Sequence, residues 1–566
     1  MEKMNIMQLH QTGQLSEAQV HYEDYLSRNP DDTDVLHLLA IVYLQKKQVQ
    51  SALSCAKKLH KLAPANSNYL VVYANCQSLL NQDKHATKLF NRAIDLCDNP
   101  AHIYNMMGNH YYRKGCFEDA KKSYQCAQEL NPTLHEARFN YILTLINTKD
   151  YDEALVTLET LVSQVNSLEY QIQLSQLYHQ LGHTDKAREQ YQAILSQDPT
   201  HYMTHHRLAS LYLEDQDLKQ AKHHYKQVIQ LMPSHTETLH NLASIYLNQK
   251  QYQEALVFWH KQAEIEPDAT TYYNLGICYY YLNRFDDAGI YLTQCLECDP
   301  NYTNAYLNLA NLSLRSGQAK EAIGYYKLVL SKDPTCEEAR YLLAALSDET
   351  EQYAKSPAIY VSRLFDQYAE YYNKHLKDML DYQVPQHLYE IVETSGYLNQ
   401  DRPFLRGLDL GVGTGLVGQL FNQYVTHKTG VDLSESMIKE AKSLGIYQDL
   451  VCADLFDYLA DDNDFDIILL ADVLPYIGDL SQLAELLVSR LTDRALLAFS
   501  IELLDDDTQD YALQHTARFA HNPKYIAGLF AKCLVKVSDN VRVLRRQNQQ
   551  DIRGVIYLYK KIDSFS

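Results

Sequence analysis

Ten alanines recur along the first part of the chain at intervals of 33 or 34 residues. A chance succession of helices and loops would not keep one period through ten copies, so a single structural unit is repeated. A second cluster of small and apolar residues, such as Leu242 and Ala243, precedes the alanines by twelve or thirteen residues, which predicts two amphipathic helices per unit. The chain must therefore build a solenoid in which each unit packs on its neighbours. The ten alanines are Ala18, Ala52, Ala86, Ala120, Ala154, Ala187, Ala221, Ala255, Ala288 and Ala322.

Prolines mark the ends of the second helices. In eight of the ten copies a proline follows the alanine after twelve residues, and proline cannot continue a helix because it lacks a backbone N–H. Copies three and five have Asp98 and Asn166 there, so we expect local irregularity. The pattern resembles the tetratricopeptide repeat over about residues 1–335, and residues 336–346 resemble its capping helix. The resemblance implies an all-α superhelical solenoid that serves as a protein-interaction platform.

The sixth position of the first helix in each unit is a candidate partner-binding position. In relatives of this repeat found in glycosyltransferases, an asparagine ladder at that position holds a peptide backbone, because a carboxamide both donates and accepts. The alternative is a set of solvated surface amides, since Met106 and Gln173 interrupt the ladder. The candidate residues for binding a protein or peptide on the concave face are Asn140, Arg207, Asn241, Asn274 and Asn308.

A different pattern begins after residue 350. The segment 348–358 is polar and reads as a linker, and residues 360–380 read as an aromatic-rich helix. Apolar strands, a glycine turn and helices then alternate, which predicts an α/β fold. We expect domains at 1–347 and 359–566.

The run LDLGVGTGLVG at 408–418 predicts a strand, a turn that a ligand can approach, and a helix. It matches GxGxxG, so a dinucleotide is one possible ligand. Asp409, however, stands two residues before the first glycine, where a carboxylate repels a pyrophosphate and pairs with an aminoacyl ammonium. The charge favours a nucleoside that carries an amino acid. Asp432 and Asp454 follow later strands, where they are placed to meet a ribose and an adenine.

A fourth strand is expected within 465–477, ending in Asp472. These acids, the glycine turn and this strand resemble the class I S-adenosylmethionine-dependent methyltransferases over about 360–562. The resemblance implies a Rossmann-like domain whose seven-stranded sheet ends in strands at 533–537, 540–546 and 554–561. A closer likeness is to predicted methyltransferases that carry tetratricopeptide repeats, which share the elements Phe365-Asp366-x-Tyr368 and Arg518-Phe519-Ala520-His521. It places at the cofactor Tyr368, Tyr372, Asp409, Gly411, Gly413, Gly415, Asp432, Leu433, Met437, Asp454, Leu455 and Asp472.

Within that set, the resemblance assigns Asp409 to the methionine ammonium, Asp432 to the ribose and Asp454 with Leu455 to the adenine, against which Met437 packs. Methyl transfer is an in-line displacement for which alignment matters more than acid–base chemistry, because the cofactor supplies the leaving group. The candidate catalytic residues are Asp472, Tyr476 and His521, each of which has a structural alternative. We expect no metal, since the only CxxC, Cys295 to Cys298, has no second pair to complete a zinc site.

Composition narrows the possible partners. A net charge of −20, from 51 basic and 71 acidic residues, opposes binding to nucleic acid. Eleven scattered cysteines, no secretory signal and no long apolar run indicate a cytoplasmic protein that does not enter a membrane. The first hypothesis is a methyltransferase whose repeats recruit or orient a protein partner or substrate. The alternatives are a small-molecule methyltransferase with repeats used for assembly, and a scaffold that binds the cofactor without transferring methyl.

Overall fold

The computed structural model describes residues 3–347, 353–368, 382–461, 463–506, 508–547 and 550–562. The chain divides into two compact units, Met1–Ile245 and Tyr246–Ser566. The second unit joins the last repeats to the α/β region, while the domain boundaries expected from the sequence stay predictions. Among the described helices, none is long and apolar enough to cross a membrane.

Paired helices form the repeats. The first helices of the pairs, with the capping helix last, are α1 Lys3–Gln11, α3 Thr33–Gln45, α5 Ser67–Leu79, α7 Ala101–Arg113, α9 His135–Thr148, α11 Leu168–Gln180, α13 Tyr202–Glu214, α15 Thr236–Asn248, α17 Ala269–Tyr281, α19 Thr303–Arg315 and α21 Glu337–Leu346. The second helices are α2 Leu15–Arg28, α4 Val49–Leu62, α6 Asp83–Asp95, α8 Phe117–Leu130, α10 Tyr151–Gln164, α12 Thr184–Gln197, α14 Leu218–Leu231, α16 Tyr252–Ile265, α18 Phe285–Cys298 and α20 Ala319–Lys332.

The alanine ladder lies where helices cross. All ten alanines are 0% exposed, which confirms that they are packing positions. At Gly108 of α7 an added Cβ would come within 2.5 Å of the Tyr124 ring, so the small residue and the aromatic fit together. The irregularity expected in copy three is present, because α6 has 13 residues where the other described second helices have 14. In copy five, α10 keeps the regular length.

The turn between the two helices of each pair has a left-handed backbone residue. Glycine fills this position in four copies, while lysine, asparagine or glutamine fills it in the others, as at Lys149 with a φ of 64°. A side chain at such a φ costs energy that glycine avoids. The turn residues are Gly13, Lys47, Asn81, Gly115, Lys149, Gly182, Gln216, Lys250, Asn283 and Gly317.

The α/β region contains one mixed sheet. Its strands are β1 Phe404–Leu410, β2 Val425–Asp432, β3 Asp449–Cys452, β4 Phe465–Leu470, β5 Leu491–Leu503, β6 Tyr511–Leu513, β7 Phe519–His521, β8 Leu534–Gln547 and β9 Gln550–Lys561. The order is β3-β2-β1-β4-β5-β7-β6, and β9 pairs with both β5 and β8. Strands β1 to β5 are parallel, so their carboxyl ends meet at one edge, while β9 runs antiparallel to β5.

Helices cover both faces of the sheet. One apolar cluster contains Leu410 and Tyr557, and the cluster on the other face contains Leu469 and Leu558. The helices are α22 Ala358–Tyr368, α23 Val384–Thr394, α24 Leu416–Leu420, α25 Glu435–Ser443, α26 Leu455–Leu459, α27 Ser481–Ser489 and α28 Pro523–Phe530, with a 3-10 turn at Leu474–Tyr476.

The structure corrects the expected sheet in two respects. Among the residues that the structure describes, the sheet has nine strands rather than seven, and the short hairpin β6–β7 after β5 supplies two of them. The segments 533–537 and 540–546 are not separate strands, since β8 runs through both with register shifts between Lys536 and Ser538 and between Val543 and Arg545. Of the predicted helix at 360–380, the described part is α22, and residues 369–381 lie outside the described residues.

Candidate functional site

A cavity lies at the carboxyl ends of β1, β2 and β4. It has a volume of about 860 Å³, part of it open to solvent. The side opposite the strands is formed by α22 and by the preceding segment, where Lys355 makes a β-bridge to Ile477. The residues that line it are Lys355, Ser356, Ala358, Val361, Phe365, Gly411, Gly413, Val431, Asp432, Leu433, Ala453, Asp454, Leu455, Phe456, Ala471, Asp472, Val473, Tyr476 and Ile477.

The glycine turn forms one side of the cavity, and its two lining glycines are needed for different reasons. At Gly411, with a φ of 68°, a Cβ would come within 2.4 Å of the Val473 side chain, so packing excludes a larger residue. At Gly413, with a φ of 51°, a Cβ would meet no atom within 4 Å. Because Gly413 lines the cavity, the space a side chain would fill there is left to a ligand.

Asp432 holds the glycine turn in place at the end of β2. Its two carboxylate oxygens accept the backbone N–H groups of Gly413 at 2.8 Å and Ser434 at 2.9 Å. Burial raises the pKa of Asp432, and these two hydrogen bonds lower it in part. Each oxygen keeps a second lone pair, so the carboxylate can still accept a hydroxyl from a ligand in the cavity.

Asp409 does not line the cavity. Its carboxyl is 4% exposed, and its Oδ2 accepts a hydrogen bond from the Tyr447 hydroxyl at 2.6 Å. Burial raises the pKa of Asp409 to about 7, an effect that the hydrogen bond from Tyr447 opposes. Tyr447 also explains Gly418, because a Cβ there would lie 2.0 Å from its hydroxyl. At Gly415 a Cβ would first meet the Leu444 side chain, at 2.6 Å.

Asp454 and its neighbours form one end of the cavity. The Asp454 carboxylate begins α26 by accepting the backbone N–H of Phe456 at 2.8 Å. The Lys355 ammonium lies 3.9 Å from Asp454 and 5.0 Å from the centre of the Phe456 ring. Leu433 and Leu455 line the cavity between the acids, so an apolar slot lies next to carboxylates that can accept hydrogen bonds.

Helix α22 is fixed to α25 by one carboxylate. Asp366 accepts the Ser434 hydroxyl at 2.6 Å and the backbone N–H of Ser436 at 3.3 Å. Met437 of α25 is fully buried and is not part of the cavity lining. The Tyr368 side chain and the whole of Tyr372 lie outside the described residues.

Two candidate catalytic residues, Asp472 and Tyr476, lie in the cavity wall and contact the same arginine. Arg518 pairs with Asp472 and donates to the Tyr476 hydroxyl at 2.8 Å, with its guanidinium 4.8 Å from the centre of the Tyr476 ring. Its Nε donates to Glu502 at 2.5 Å, and Arg545 lies 2.8 Å from the same carboxylate. Asp472 itself has a left-handed backbone, with a φ of 61°.

Burial raises the pKa of Tyr476, so its phenol stays protonated near neutral pH. Burial also raises the pKa of Glu502, but Arg518 and Arg545 outweigh it and hold that pKa below its usual range. Both side chains are therefore fixed in one protonation state by their surroundings.

The third candidate, His521, lies outside the cavity lining. It is fully buried, and its Nε2 donates to the carbonyls of Ile477 at 2.8 Å and Gly478 at 3.1 Å. Burial lowers its pKa to about 4, so the ring is neutral. This geometry places His521 as a support for the loop after β4.

The amides of the asparagine ladder bond within the repeats. Asn140 donates to Asn105 at 3.0 Å, Asn241 donates to the Tyr225 hydroxyl at 3.2 Å, and Asn308 donates to the carbonyl of Asn304 at 2.8 Å. All three are half-buried, as is Asn274, while Arg207 is exposed. Their carbonyl oxygens keep the capacity to accept from a partner.

No group of three or more His, Cys, Asp or Glu side chains in the described part of the chain is arranged to hold a metal ion. Cys295 is buried and Cys298 is exposed on α18.

Comparison with known protein families identifies both regions. A family model for a methyltransferase domain matches residues 408–499, the segment that contains the glycine turn and the acids of the cavity. Models for the tetratricopeptide repeat match residues 9–70, 168–201, 204–235, 234–301 and 279–346. The chain carries tetratricopeptide repeats and a methyltransferase domain. No curated protein matches the chain.

Solved structures similar to part of this chain include the following three. A tetratricopeptide repeat protein from Parabacteroides merdae is 17% identical, with 44% of this chain and 99% of that chain covered and a TM-score of 0.31. The pilF protein of Pseudomonas aeruginosa is 18% identical, with 38% and 97% covered and a TM-score of 0.32. MamA from Desulfovibrio magneticus is 18% identical, with 30% and 96% covered and a TM-score of 0.28.

Several residues that line the cavity or lie behind its wall have no signal in the sequence. Lys355 and Ser356 lie in the segment read as a linker, and Tyr447 follows a helix without any motif. Arg518 belongs to a recognised element, but its partner Glu502 lies on β5 and carries no pattern of its own. The pair could have been suspected only if β5 and β7 had been known to be neighbouring strands, since Glu502 lies on one and Arg518 directly before the other.

Proposed function

We propose that the protein is an S-adenosylmethionine-dependent methyltransferase whose repeats recruit or orient a protein partner. The observation that carries the proposal is the open space over Gly413 beside the Asp432 carboxylate, in a cavity at the carboxyl ends of parallel strands. Ligands of open α/β sheets bind at that edge. The matching methyltransferase family supports the same reading.

The residues of the cavity fit this cofactor. Asp432 is placed to accept ribose hydroxyls, while Leu433, Leu455 and Phe456 offer apolar surface for an adenine next to Asp454. The turn at Gly413 leaves room for the amino-acid part. Bound there, the cofactor supplies the activated methyl group.

The chain's own contribution to catalysis is alignment and exclusion of water. Asp472 is paired with Arg518, Tyr476 is protonated, and His521 does not line the cavity. We therefore infer that the methyl acceptor reacts without a proton transfer to one of these three side chains. Val361, Phe365 and Val473 add apolar surface to the wall beside Asp472 and Tyr476, which helps to exclude water from the reacting groups.

Calorimetric titration with S-adenosylhomocysteine tests the cofactor site. Gly413→Arg should abolish measurable binding, because the new side chain enters the cavity. Gly396→Arg is the matched control, since Gly396 also has a positive φ, of 76°, and no atom within 4 Å of its Cβ position, but does not line the cavity. The control should bind like wild type. A folded wild type that does not bind would refute the enzyme and leave a repeat scaffold.

Methyl labelling of a cell extract tests the role of the repeats. Wild type with radiolabelled S-adenosylmethionine should label a macromolecular fraction. Replacing Asn241, Asn274 and Asn308 together by alanine should leave S-adenosylhomocysteine binding intact and reduce labelling at least tenfold, if their carboxamides hold the partner. Label confined to small molecules would instead favour the alternative in which the repeats serve assembly.

A further inference from the structure

The hairpin β6–β7 of the methyltransferase domain packs on the last helix of the repeats. Tyr341 of α21 is fully buried, and its hydroxyl lies 2.8 Å from both the carbonyl of Ala517 and the Ser356 hydroxyl. The same apolar cluster contains Tyr341 and Phe519 of β7. His515 in the hairpin turn lies 2.9 Å from the carbonyl of Ala345. The hairpin thus covers the end of the repeats.

Arg518 follows the carbonyl that Tyr341 holds, and its side chain reaches the cavity wall. It contacts Asp472 and Tyr476, which line the cavity, and Glu502 behind them. Asp472 and Tyr476 lie 46 and 42 residues away from Arg518 in the sequence. One residue therefore connects the hairpin to two side chains of the wall.

Charges in this part of the wall balance. Asp472 and Glu502 face Arg518 and Arg545, and the four side chains are 5–12% exposed. Removing one partner of a buried ion pair leaves a charge that neither water nor a counter-ion neutralises. Without Arg518, two carboxylates would face one guanidinium beside the cavity.

We propose that Arg518 is a positioning residue that fixes Asp472 and Tyr476 and cancels the excess negative charge of the wall, and that Tyr341 of the last repeat helix holds Arg518 in place. The inference rests on the proposed function, because the wall belongs to the cavity assigned to the cofactor. The repeats then act on the cavity through a hairpin that lies outside the matched segment of the methyltransferase family.

Two cofactor analogues of different charge test the proposal without an acceptor. S-adenosylhomocysteine has a neutral thioether, whereas sinefungin carries an ammonium where the methylated sulfonium stands in the cofactor. Calorimetry with wild type, Arg518→Gln and Arg518→Lys gives the ratio of the two dissociation constants. Arg518→Gln should shift this ratio toward sinefungin by about tenfold or more, because an uncompensated carboxylate attracts the ammonium. Arg518→Lys keeps the charge and should restore most of the wild-type ratio.

A matched control is Arg546→Gln on β8, whose exposed guanidinium pairs with Asp551 away from the cavity lining, and it should keep the wild-type ratio. Tyr341→Phe keeps the ring and should shift the ratio toward sinefungin about two- to threefold, since the buried carbonyl loses its donor. Its control is Tyr306→Phe, which loses a bond to Pro300 within the repeats.

An unchanged ratio in Arg518→Gln would overturn the role of Arg518, and an unchanged ratio in Tyr341→Phe would overturn the link to the repeats. Failure of wild type to bind either analogue would refute the proposed function instead. If Arg518→Gln does not fold, the other two variants decide. The proposal is overturned if Tyr341→Phe keeps the wild-type ratio of dissociation constants and Arg518→Lys binds neither analogue.

Discussion

Replacing Asp409 by asparagine should remove much of the pH dependence of stability around β1. Burial raises the pKa of this carboxyl from an ordinary value of 3.8 to about 7 in the folded protein. The folded state therefore keeps a proton that the unfolded chain releases. The stability that this proton contributes is fully present below pH 3.8 and is lost as the pH rises through 7.

The size of the effect follows from the two pKa values. One unit of difference corresponds to about 1.4 kcal/mol. Relative to a carboxyl that is protonated in both states, the buried Asp409 destabilises the fold by roughly 2 kcal/mol at pH 5 and roughly 4 kcal/mol at pH 8. Asparagine has a similar shape and no charge, so the variant should lose about 2 kcal/mol less stability between these two pH values.

Hydrogen exchange of the β1 amides, corrected for the intrinsic rate at each pH, is the suitable assay, because a chain of 566 residues with several units does not unfold in one step. Tyr447→Phe should move the transition to higher pH, since the Tyr447 hydroxyl opposes the rise of the Asp409 pKa. Asp493→Asn, at an exposed carboxyl, is the control and should match wild type. The same pH slope in Asp409→Asn and wild type would refute the reasoning.

Three further predictions concern other parts of the fold. Lys149→Gly should raise the melting temperature of the repeats, because the left-handed backbone of this lysine costs about 1 kcal/mol. Gly115→Lys at the equivalent turn should lower the melting temperature, and shifts of the same sign in both variants would contradict this reasoning. Burial lowers the pKa of His224 to about 4, so the folded protein loses stability as the pH falls from 6.5 to 4. The melting temperature of His224→Phe should therefore fall less than that of wild type between pH 7 and pH 4.5, and an equal fall would exclude this histidine as the cause. Gly418→Ala should destabilise the methyltransferase domain by about 2 kcal/mol, because a phenol oxygen lies 2.0 Å from the new Cβ position, and a wild-type melting temperature would show that the ring moves aside.

Sequence periodicity predicts the repeats well because their packing is local. Each ladder alanine packs against residues of its own repeat or of an adjacent repeat, so the residues that bury it lie close to it in the sequence. The left-handed turn is harder to predict, since Lys47, Lys149 and Gln216 occupy it as well as glycine.

Local sequence also predicts the side of the cavity that the strand ends form. Gly411, Gly413, Asp432 and Asp454 follow strands directly, and parallel strands bring their carboxyl ends together whatever lies between them. Asp409 shows the limit of this reasoning. Its place in the motif predicts a partner for an ammonium, whereas its side chain accepts a hydrogen bond from Tyr447, a residue 38 positions further along the chain.

The sequence predicts Asp472 and Tyr476 in the cavity wall, but it does not predict the ion pairs behind them, because the paired residues meet only in the folded sheet. Strands β6 and β7 have three residues each, too short for an alternating pattern to stand out. The sequence therefore indicates Arg518 only through the resemblance and does not indicate which residues it pairs with. Its ion pairs join β5, the hairpin and the loop after β4, and no spacing in the sequence records that these elements are neighbours.

The same contacts argue against studying the methyltransferase domain alone. A chain that begins at residue 359, the boundary expected from the sequence, lacks Lys355 and Ser356, which line the cavity, and Tyr341, which holds the hairpin. Helix α22 adds a second dependence. Its residues Val361 and Phe365 line the cavity at the carboxyl ends of the strands, while residues 360, 363 and 364 line a second cavity whose other wall belongs to the last repeats. Because one helix lines both cavities, the proposed binding of S-adenosylhomocysteine is best measured on the full chain.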